Sequence, residues 1–262
     1  MDLIAYQDDH YLTPTQKTNG LERMIPTAVF YSKFCANVFR SSRTAKRGKY
    51  DPLEWSRSSF QVMQALEAVG VRFEIEGIEH VRRLKTPCVF VGNHMSMLET
   101  IVLPAIIQPI RNVTFVLKQS LLDYPFFGHI VRSRDPIAVT RDNPRSDFKT
   151  VMTEGVKRLE SGISIVVFPQ TTRASTFDPA QFNTIGVKLA SRAGVPVIPL
   201  ALRTDAWGNG KLIKDLGPID SSKTVRFAFG PALDLQGRGD QQHQEVIRFI
   251  QSKLEQWDAT FA

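Results

Sequence analysis

The fold is decided by the stretch Val89-Phe90-Val91-Gly92-Asn93-His94-Met95-Ser96-Met97-Leu98-Glu99. Its apolar run predicts a buried strand, which ends in Gly-Asn and is followed at once by a histidine. Open α/β sheets place their chemistry at the carboxyl ends of the strands. The stretch therefore predicts that His94 is presented as a base at the end of a central strand.

Strand-like and helical patterns alternate from residue 71 onward. The predicted strands are 71–75, 88–91, 113–117, 137–140, 163–168, 196–202 and 224–229, and the helices are 98–110, 146–160, 182–193 and 241–257. This alternation predicts an α/β fold with a mostly parallel central sheet flanked by helices. We divide the chain into a loose N-terminal tail (1–20), a basic N-terminal helical hairpin (21–70) and an α/β domain (71–262).

Nearly all of the net charge of +7 lies between residues 21 and 49, which hold seven cations and one anion. Such a cluster suits an anionic partner, either nucleic acid or a membrane surface. Residues 24–39 are rich in aromatic side chains, but a bilayer span needs about 20 residues. They can lie in the membrane interface, or pack on the protein's own body with a solvated basic tail.

Two cysteines and an opening without a basic n-region or an apolar core indicate a reducing cytoplasm and no signal peptide. We therefore expect no transmembrane span and no disulfide framework.

His94 and Glu99 are the first candidates for acid–base chemistry. Residues five apart on a helix differ by about 140° in direction, so they meet only if His94 precedes the helix and Glu99 lies in its first turn. Glu99 would then hold one imidazole nitrogen as a donor and leave the other to accept a proton. Ser96-x-x-Glu99 is equally a capping box, in which Glu99 only satisfies backbone N–H groups.

Three cations follow apolar strand-like runs: Lys118, Arg141 and Arg173. Because parallel strands end at one rim of a sheet, these side chains can form an anion site suited to phosphate. Arg132 and Arg134 lie in the intervening loop and could add to it. Solvated strand ends are the simpler alternative.

The stretch Phe168-Pro169-Gln170-Thr171-Thr172-Arg173 leaves a predicted strand through a proline-restricted turn. Its polar side chains fit a phosphate or polyhydroxyl ligand, or an ordinary polar loop. The sequence contains no Gly-x-Ser-x-Gly elbow, no Walker loop and no Gly-x-Gly-x-x-Gly after a strand. The five histidines lack metal-ligand spacing, so we expect no metal site.

Taken in order, these stretches resemble the PlsC-type glycerolipid acyltransferase family, also called lysophospholipid or 1-acylglycerol-3-phosphate acyltransferases. Its first block, Asn-His followed by four residues and an acid, resembles residues 93–99. Its second block runs from a lysine through Pro-x-x-Gly to an arginine and resembles residues 118–141. Its third, usually Phe-Pro-Glu-Gly-Thr-Arg, is similar to 168–173, and its fourth is similar to 195–202.

The resemblance implies an acyltransferase of phospholipid biosynthesis that needs no covalent acyl-enzyme, metal or cofactor. His94 would be the general base and Glu99 would orient it, while a lysophospholipid hydroxyl attacks the thioester of acyl-CoA or acyl-carrier protein. The substrate-binding residues it implies are Lys118, Arg141, Gln170, Thr171, Thr172 and Arg173. The family's N-terminal helices dock on membranes, so we expect peripheral binding to the anionic cytoplasmic face of a membrane, and no nucleic-acid partner.

The sequence departs from the family pattern at two places. Glu99 stands where aspartate is usual, and the extra methylene moves the carboxylate. Gln170 and Thr171 replace a Glu-Gly pair whose glutamate the family uses at the acceptor, and threonine also removes φ freedom. The acceptor headgroup thus stays open. Two alternatives remain: a catalytically weak membrane- or lipid-binding protein on the same fold, and a thioesterase.

Overall fold

A computed structural model describes residues 3–14, 24–170, 172–210 and 214–259. Its core is an eight-stranded sheet with helices on both faces. The strands are β1 (His10–Leu12), β2 (Arg72–Glu76), β3 (Val89–Gly92), β4 (Val113–Lys118), β5 (Ile137–Val139), β6 (Ser164–Val167), β7 (Val197–Arg203) and β8 (Thr224–Phe229). The helices are α1 (Pro26–Lys46), α2 (Pro52–Ala68), α3 (Ile78–Arg82), α4 (Leu98–Ile107), α5 (Phe127–Arg132), α6 (Pro144–Glu160), α7 (Ile185–Ala193) and α8 (Asp240–Ala259).

The strand order is β1-β2-β8-β7-β3-β6-β4-β5, and only β1–β2 and β7–β8 pair antiparallel among these strands. The predicted α/β class with a mostly parallel sheet is therefore confirmed. On β3, Phe90 packs toward the side of α1–α4, whereas Val89 and Val91 pack toward α6–α8. Burial on both faces explains why this strand reads as an uninterrupted apolar run.

The carboxyl ends of β7, β3 and β6 lie side by side, because β3 pairs parallel with both neighbours. Val91 is opposite Val167 on one side and Pro199 on the other. This topology gathers the segments after residues 92, 167 and 203, which are far apart in sequence, at one edge of the sheet.

The two N-terminal helices pack against each other and cover that edge. Helix α2 begins as predicted, with Pro52 at its first position and the Asp51 side chain accepting a hydrogen bond from Glu54 N–H at 2.8 Å. The inner face of α1 buries Phe30 and Phe34, which stack on each other and contact Trp207 edge to face. The helix thus packs on the protein's own body. Among the described helices, none combines the length and the hydropathy that crossing a bilayer requires.

Within the segment predicted as a loose tail, residues 10–12 form the antiparallel edge strand β1 on β2. The Tyr11 hydroxyl donates to the buried carboxylate of Glu67 at 2.7 Å, as does the Thr13 hydroxyl. A three-residue strand carries no readable periodicity, and its partners lie more than fifty residues away. Residues 15–20 of the predicted tail lie outside the described residues.

Candidate active site

His94 and Glu99 face each other at the end of β3. His94 lies two residues beyond the strand and Glu99 is the second residue of α4, which is the arrangement the spacing requires. The His94 Nδ1 and Glu99 Oε1 atoms are 2.8 Å apart, and the side chains are 10% and 0% exposed. Phe168 stacks flat on the imidazole, with the ring centroids 4.6 Å apart. The imidazole of His94 is therefore fixed at its Nδ1 edge by Glu99 and on one face by Phe168.

The Glu99 carboxylate also organises the turn that carries the histidine. Its Oε1 accepts hydrogen bonds from the backbone N–H groups of Met95 at 2.7 Å and Ser96 at 2.9 Å. Ser96 Oγ in turn accepts from Leu98 N–H at 3.1 Å. Glu99 thus contacts the imidazole and also satisfies backbone N–H groups, but these groups belong to the turn before α4, whose N-cap is Met97 without a side-chain cap rather than the predicted Ser96.

Glu99 is ionised in this environment. Burial opposes its charge, but the hydrogen bond and charge of His94, together with donors on Thr204 and Ser96, outweigh burial and lower the pKa of Glu99 below its ordinary value. An ionised carboxylate can only accept a hydrogen bond, so Nδ1 of His94 donates its N–H to Glu99, which leaves Nε2 of a neutral imidazole as a proton acceptor. His94 lines the wall of a cavity, where that atom can meet a substrate.

Thr204 is a member of this network that sequence reasoning missed. It follows β7 directly, is fully buried, and donates from Oγ1 to Glu99 Oε2 at 2.5 Å. Ser96 Oγ donates to the Thr204 carbonyl at 2.9 Å. A single threonine after a strand carries no signal in sequence. Its partnership with Glu99 arises only because β7 lies beside β3.

We expect Thr204→Val to lower kcat about tenfold with little change in KM, because one charge-assisted bond of 1.5–3 kcal/mol to the orienting carboxylate is lost. Steady-state kinetics would check this. Thr13→Val is a matched control, since it removes a hydroxyl bond to Glu67 far from the site. Equal activity losses in both variants would contradict a positioning role for Thr204.

The backbone around His94 is fixed by two side-chain amides, those of Gln170 and Asn93. Gln170 Oε1 accepts a hydrogen bond from His94 N–H at 2.8 Å. Asn93 accepts from Leu202 N–H at 2.8 Å and donates to Leu202 O at 2.9 Å, which ties the turn to β7. The bond to His94 N–H requires only an acceptor oxygen, so glutamine can make it in place of glutamate.

The sheet edge and α1–α2 enclose a cavity of about 430 Å³. His94 and Gln170 lie on its wall, and the predicted substrate residues Lys118, Arg141, Thr172 and Arg173 line it as well. Thr171 lies outside the described residues. Apolar residues from α2, β4 and α5 line another part of the cavity; they include Trp55, Val62, Phe115 and Ile130.

Arg132 and Arg134, which lie between β4 and β5, each contact other groups of the protein. Arg134 donates to the Tyr50 carbonyl at 2.6 Å and lies over the rings of Tyr50 and Trp55. Arg132 forms an exposed ion pair with Asp123 at 3.0 Å. Arg134 nevertheless lines the same cavity as Lys118, Arg141 and Arg173, so its contribution to an anion site stays a prediction, whereas Arg132 is not among the residues that line this cavity.

Arg141 is held in an unusual backbone conformation, with φ at 68°. Asp147, in the first turn of α6, accepts from Thr140 N–H at 2.9 Å and from Arg141 N–H at 2.7 Å. Desolvation, and then the like charge of Arg173, lower the pKa of Arg141. The two guanidinium groups therefore lie close enough to repel, an arrangement that an anion would relieve.

Comparison with known proteins gives one consistent result. A family model described as Acyltransferase matches residues 72–203. The chain is 30% identical to a 1-acyl-sn-glycerol-3-phosphate acyltransferase of Pseudomonas aeruginosa over 78% of this chain and 73% of the relative. It is 32% identical to the enzyme of that name from Haemophilus influenzae, over 51% of this chain and 58% of the relative.

The fold also matches the crystal structure of the 1-acyl-sn-glycerophosphate acyltransferase PlsC from Thermotoga maritima. The TM-score is 0.69 at 18% identity, and the match covers 91% of this chain and 97% of that chain. The family match contains the His94–Glu99 pair and all four sequence blocks. The chain belongs to the acyltransferase family, and it is an acyltransferase of the PlsC type.

Proposed function

We propose that the protein transfers an acyl chain from an acyl thioester to the free hydroxyl of a lysophospholipid, with His94 as general base. The observation that carries the proposal is the position of the His94–Glu99 pair on a cavity with both cationic and apolar walls. A lysophospholipid combines an anionic headgroup with an acyl chain, so it matches both kinds of wall. The names of the relatives point to the same class of acceptor.

The reaction needs one base and no enzyme nucleophile. The acceptor hydroxyl gives its proton to Nε2 of His94 as its oxygen bonds to the thioester carbonyl carbon. The tetrahedral intermediate then expels the thiolate, which takes the proton back from His94. Glu99 stabilises the transient imidazolium, and Phe168 keeps the ring plane fixed. The donor is acyl-CoA or acyl-carrier protein, each of which supplies the thioester.

The cationic rim is suited to the acceptor headgroup. Arg141 and Arg173 lie near each other, and Lys118 lines the same cavity from the end of β4. Guanidinium groups bind phosphate oxygens through paired donors, which orients the ligand as well as holding it. A headgroup bound here would bring the adjacent glycerol hydroxyl toward His94.

The test is lipid mass spectrometry on the purified full chain with acyl-CoA or acyl-carrier protein and a panel of lysolipids. We expect a diacyl product with at least one phosphate-bearing acceptor. Free fatty acid without acylated lipid would instead establish a thioesterase. Vesicle binding without turnover on any acceptor and either donor would establish a lipid-binding protein.

The outward face of α1 is suited to peripheral binding at an anionic membrane. With Ile25 just before the helix, it exposes small and apolar side chains interspersed with cations; in order they are Ile25, Ala28, Ser32, Lys33, Cys35, Ala36, Phe39, Arg40, Arg43 and Lys46. Exposed Phe126, at the tip of the loop before α5, contacts Phe39. Apolar side chains beside cations, next to the cavity, fit a lipid surface from which the acceptor is drawn.

Reversing two of these charges, Arg43→Glu with Lys46→Glu, should weaken binding to anionic vesicles about tenfold or more at low salt, since each basic residue near such a surface contributes about 1 kcal/mol. Vesicle sedimentation at two salt concentrations measures this. Lys188→Glu with Arg192→Glu makes the same charge change on α7, on the opposite face of the sheet. Equal loss in both double variants would rule out a specific surface on α1.

A further inference from the structure

The connection between β7 and β8 reaches over the cavity and places a carboxylate among its cations. Lys214 and Asp215 both line the cavity. The segment after them is bonded to α1, because Tyr31 Oη donates to Gly217 O at 2.7 Å and Ile219 N–H donates to Thr27 Oγ1 at 3.0 Å. The position of Asp215 is thus set by the fold rather than by an isolated loop.

Asp215 is paired with the arginine of the third sequence block. Arg173 Nη1 and Asp215 Oδ1 are 2.5 Å apart, and the side chains are only 14% and 17% exposed. The other carboxylate oxygen, Oδ2, accepts from the Tyr124 hydroxyl at 3.2 Å. The negative charge of Asp215 is the largest cause that raises the pKa of Tyr124. The Arg173 guanidinium and the Tyr124 hydroxyl, which come from different parts of the chain, therefore fix the position of the Asp215 carboxylate.

This pairing conflicts with binding of an anionic headgroup at the same place. A phosphate monoester carries a charge of about −1.5 to −2 near neutral pH, which Arg141 and Arg173 together can balance. With Asp215 still on Arg173, that guanidinium is already neutralised and the ligand would meet a like charge beside it, while Lys118 and Lys214 of the same cavity wall remain as cations. Like charges in a partly desolvated site are costly. The headgroup must therefore displace the Asp215 carboxylate from Arg173 or bind without a contact to that arginine.

We propose that Asp215 is a specificity-determining residue that occupies the acceptor-phosphate position on Arg173 and must be displaced by an anionic headgroup. This inference rests on the proposed acyl transfer to a phosphate-bearing lysolipid. The carboxylate keeps Arg173 ordered before the acceptor arrives and lowers affinity for every anionic headgroup. An acceptor without charge does not need Arg173, so its affinity does not depend on Asp215.

The test compares equilibrium binding and KM for lysophosphatidate with those for an uncharged monoacylglycerol of the same chain length. In Asp215→Asn, we expect Kd and KM for lysophosphatidate to fall about tenfold, the value of one charge-assisted contact. The values for monoacylglycerol should stay within about twofold of wild type. Tyr124→Phe removes only the hydroxyl that holds Asp215, so it should shift lysophosphatidate binding in the same direction by less.

The matched control is Asp205→Asn, which removes an ion pair with Lys223 from the same connection without touching the cavity. Unchanged or weaker lysophosphatidate binding in Asp215→Asn would overturn the proposal. So would a selective rise in Kd for lysophosphatidylethanolamine, since Asp215 would then bind the ammonium group. Calorimetric binding does not require turnover, so absence of acyl transfer in every protein would refute the proposed function while the binding ratios still decide the role of Asp215.

Discussion

Replacing His94 by alanine should lower kcat for acyl transfer about 10²–10⁴-fold, the range that general-base catalysis contributes. The loss should appear in kcat rather than KM, because the cations that line the cavity are left in place. Stability should fall as well, because the buried Glu99 carboxylate loses the partner whose hydrogen bond and charge lower its pKa, and only its bonds from Met95, Ser96 and Thr204 remain. Single-turnover acyl transfer with radiolabelled donor measures the chemical step directly.

The matched control for this variant is His80→Ala. His80 is on α3, away from the described cavity lining. It should retain wild-type transfer. Transfer that persists in His94→Ala at near wild-type rate would refute the assignment of the base, whatever the product.

Replacing Glu99 by glutamine should lower kcat on the order of 10²-fold, because an amide neither fixes the Nδ1–H tautomer nor stabilises the imidazolium. The variant should also lose about 1–3 kcal/mol of unfolding free energy, since Glu99 serves backbone donors too. Kinetics and urea unfolding of the same samples separate the two effects.

The stability effect of Glu99→Gln has a predictable pH dependence. The folded-state pKa of Glu99 lies below its ordinary value of 4.5, so its ionised form stabilises the fold above that pH. The stabilisation is lost as pH falls through the lowered folded-state pKa. The difference in unfolding free energy between wild type and variant should thus be full near pH 7 and shrink below pH 4.5. A difference that grows toward acidic pH would show that Glu99 is protonated in the native state.

Much of the fold was predictable because its signals are local. A sheet covered on both faces needs continuous apolar strands, and β3, β6 and β7 have them, so their positions agree within one or two residues. Asp51-Pro52 marks the start of α2 through capping chemistry that involves only neighbouring residues. Strand β1 was not predictable, because three residues have no pattern until β2 pairs with them.

The candidate site was predictable only in part. His94 and Glu99 could be paired from their spacing and a capping signal, since both belong to one strand–turn–helix unit. Thr204 and Asp215 could not, because they meet Glu99 and Arg173 across 105 and 42 residues of chain. Arg134 illustrates the same limit, since its bond to the Tyr50 carbonyl joins residues that are 84 apart in the chain.

The sequence by itself thus determined the class of fold, the acyltransferase family and the pairing of His94 with Glu99, because these depend on hydrophobic periodicity and on short-range spacing. The tertiary structure alone decided which residues contact the His94–Glu99 pair and which cations line the cavity. Those properties depend on the order of strands in the sheet, which brings the end of β7 beside β3 and the β7–β8 connection over Arg173. Contacts between ends of different strands leave no periodic trace in the chain, so only the folded arrangement reveals them.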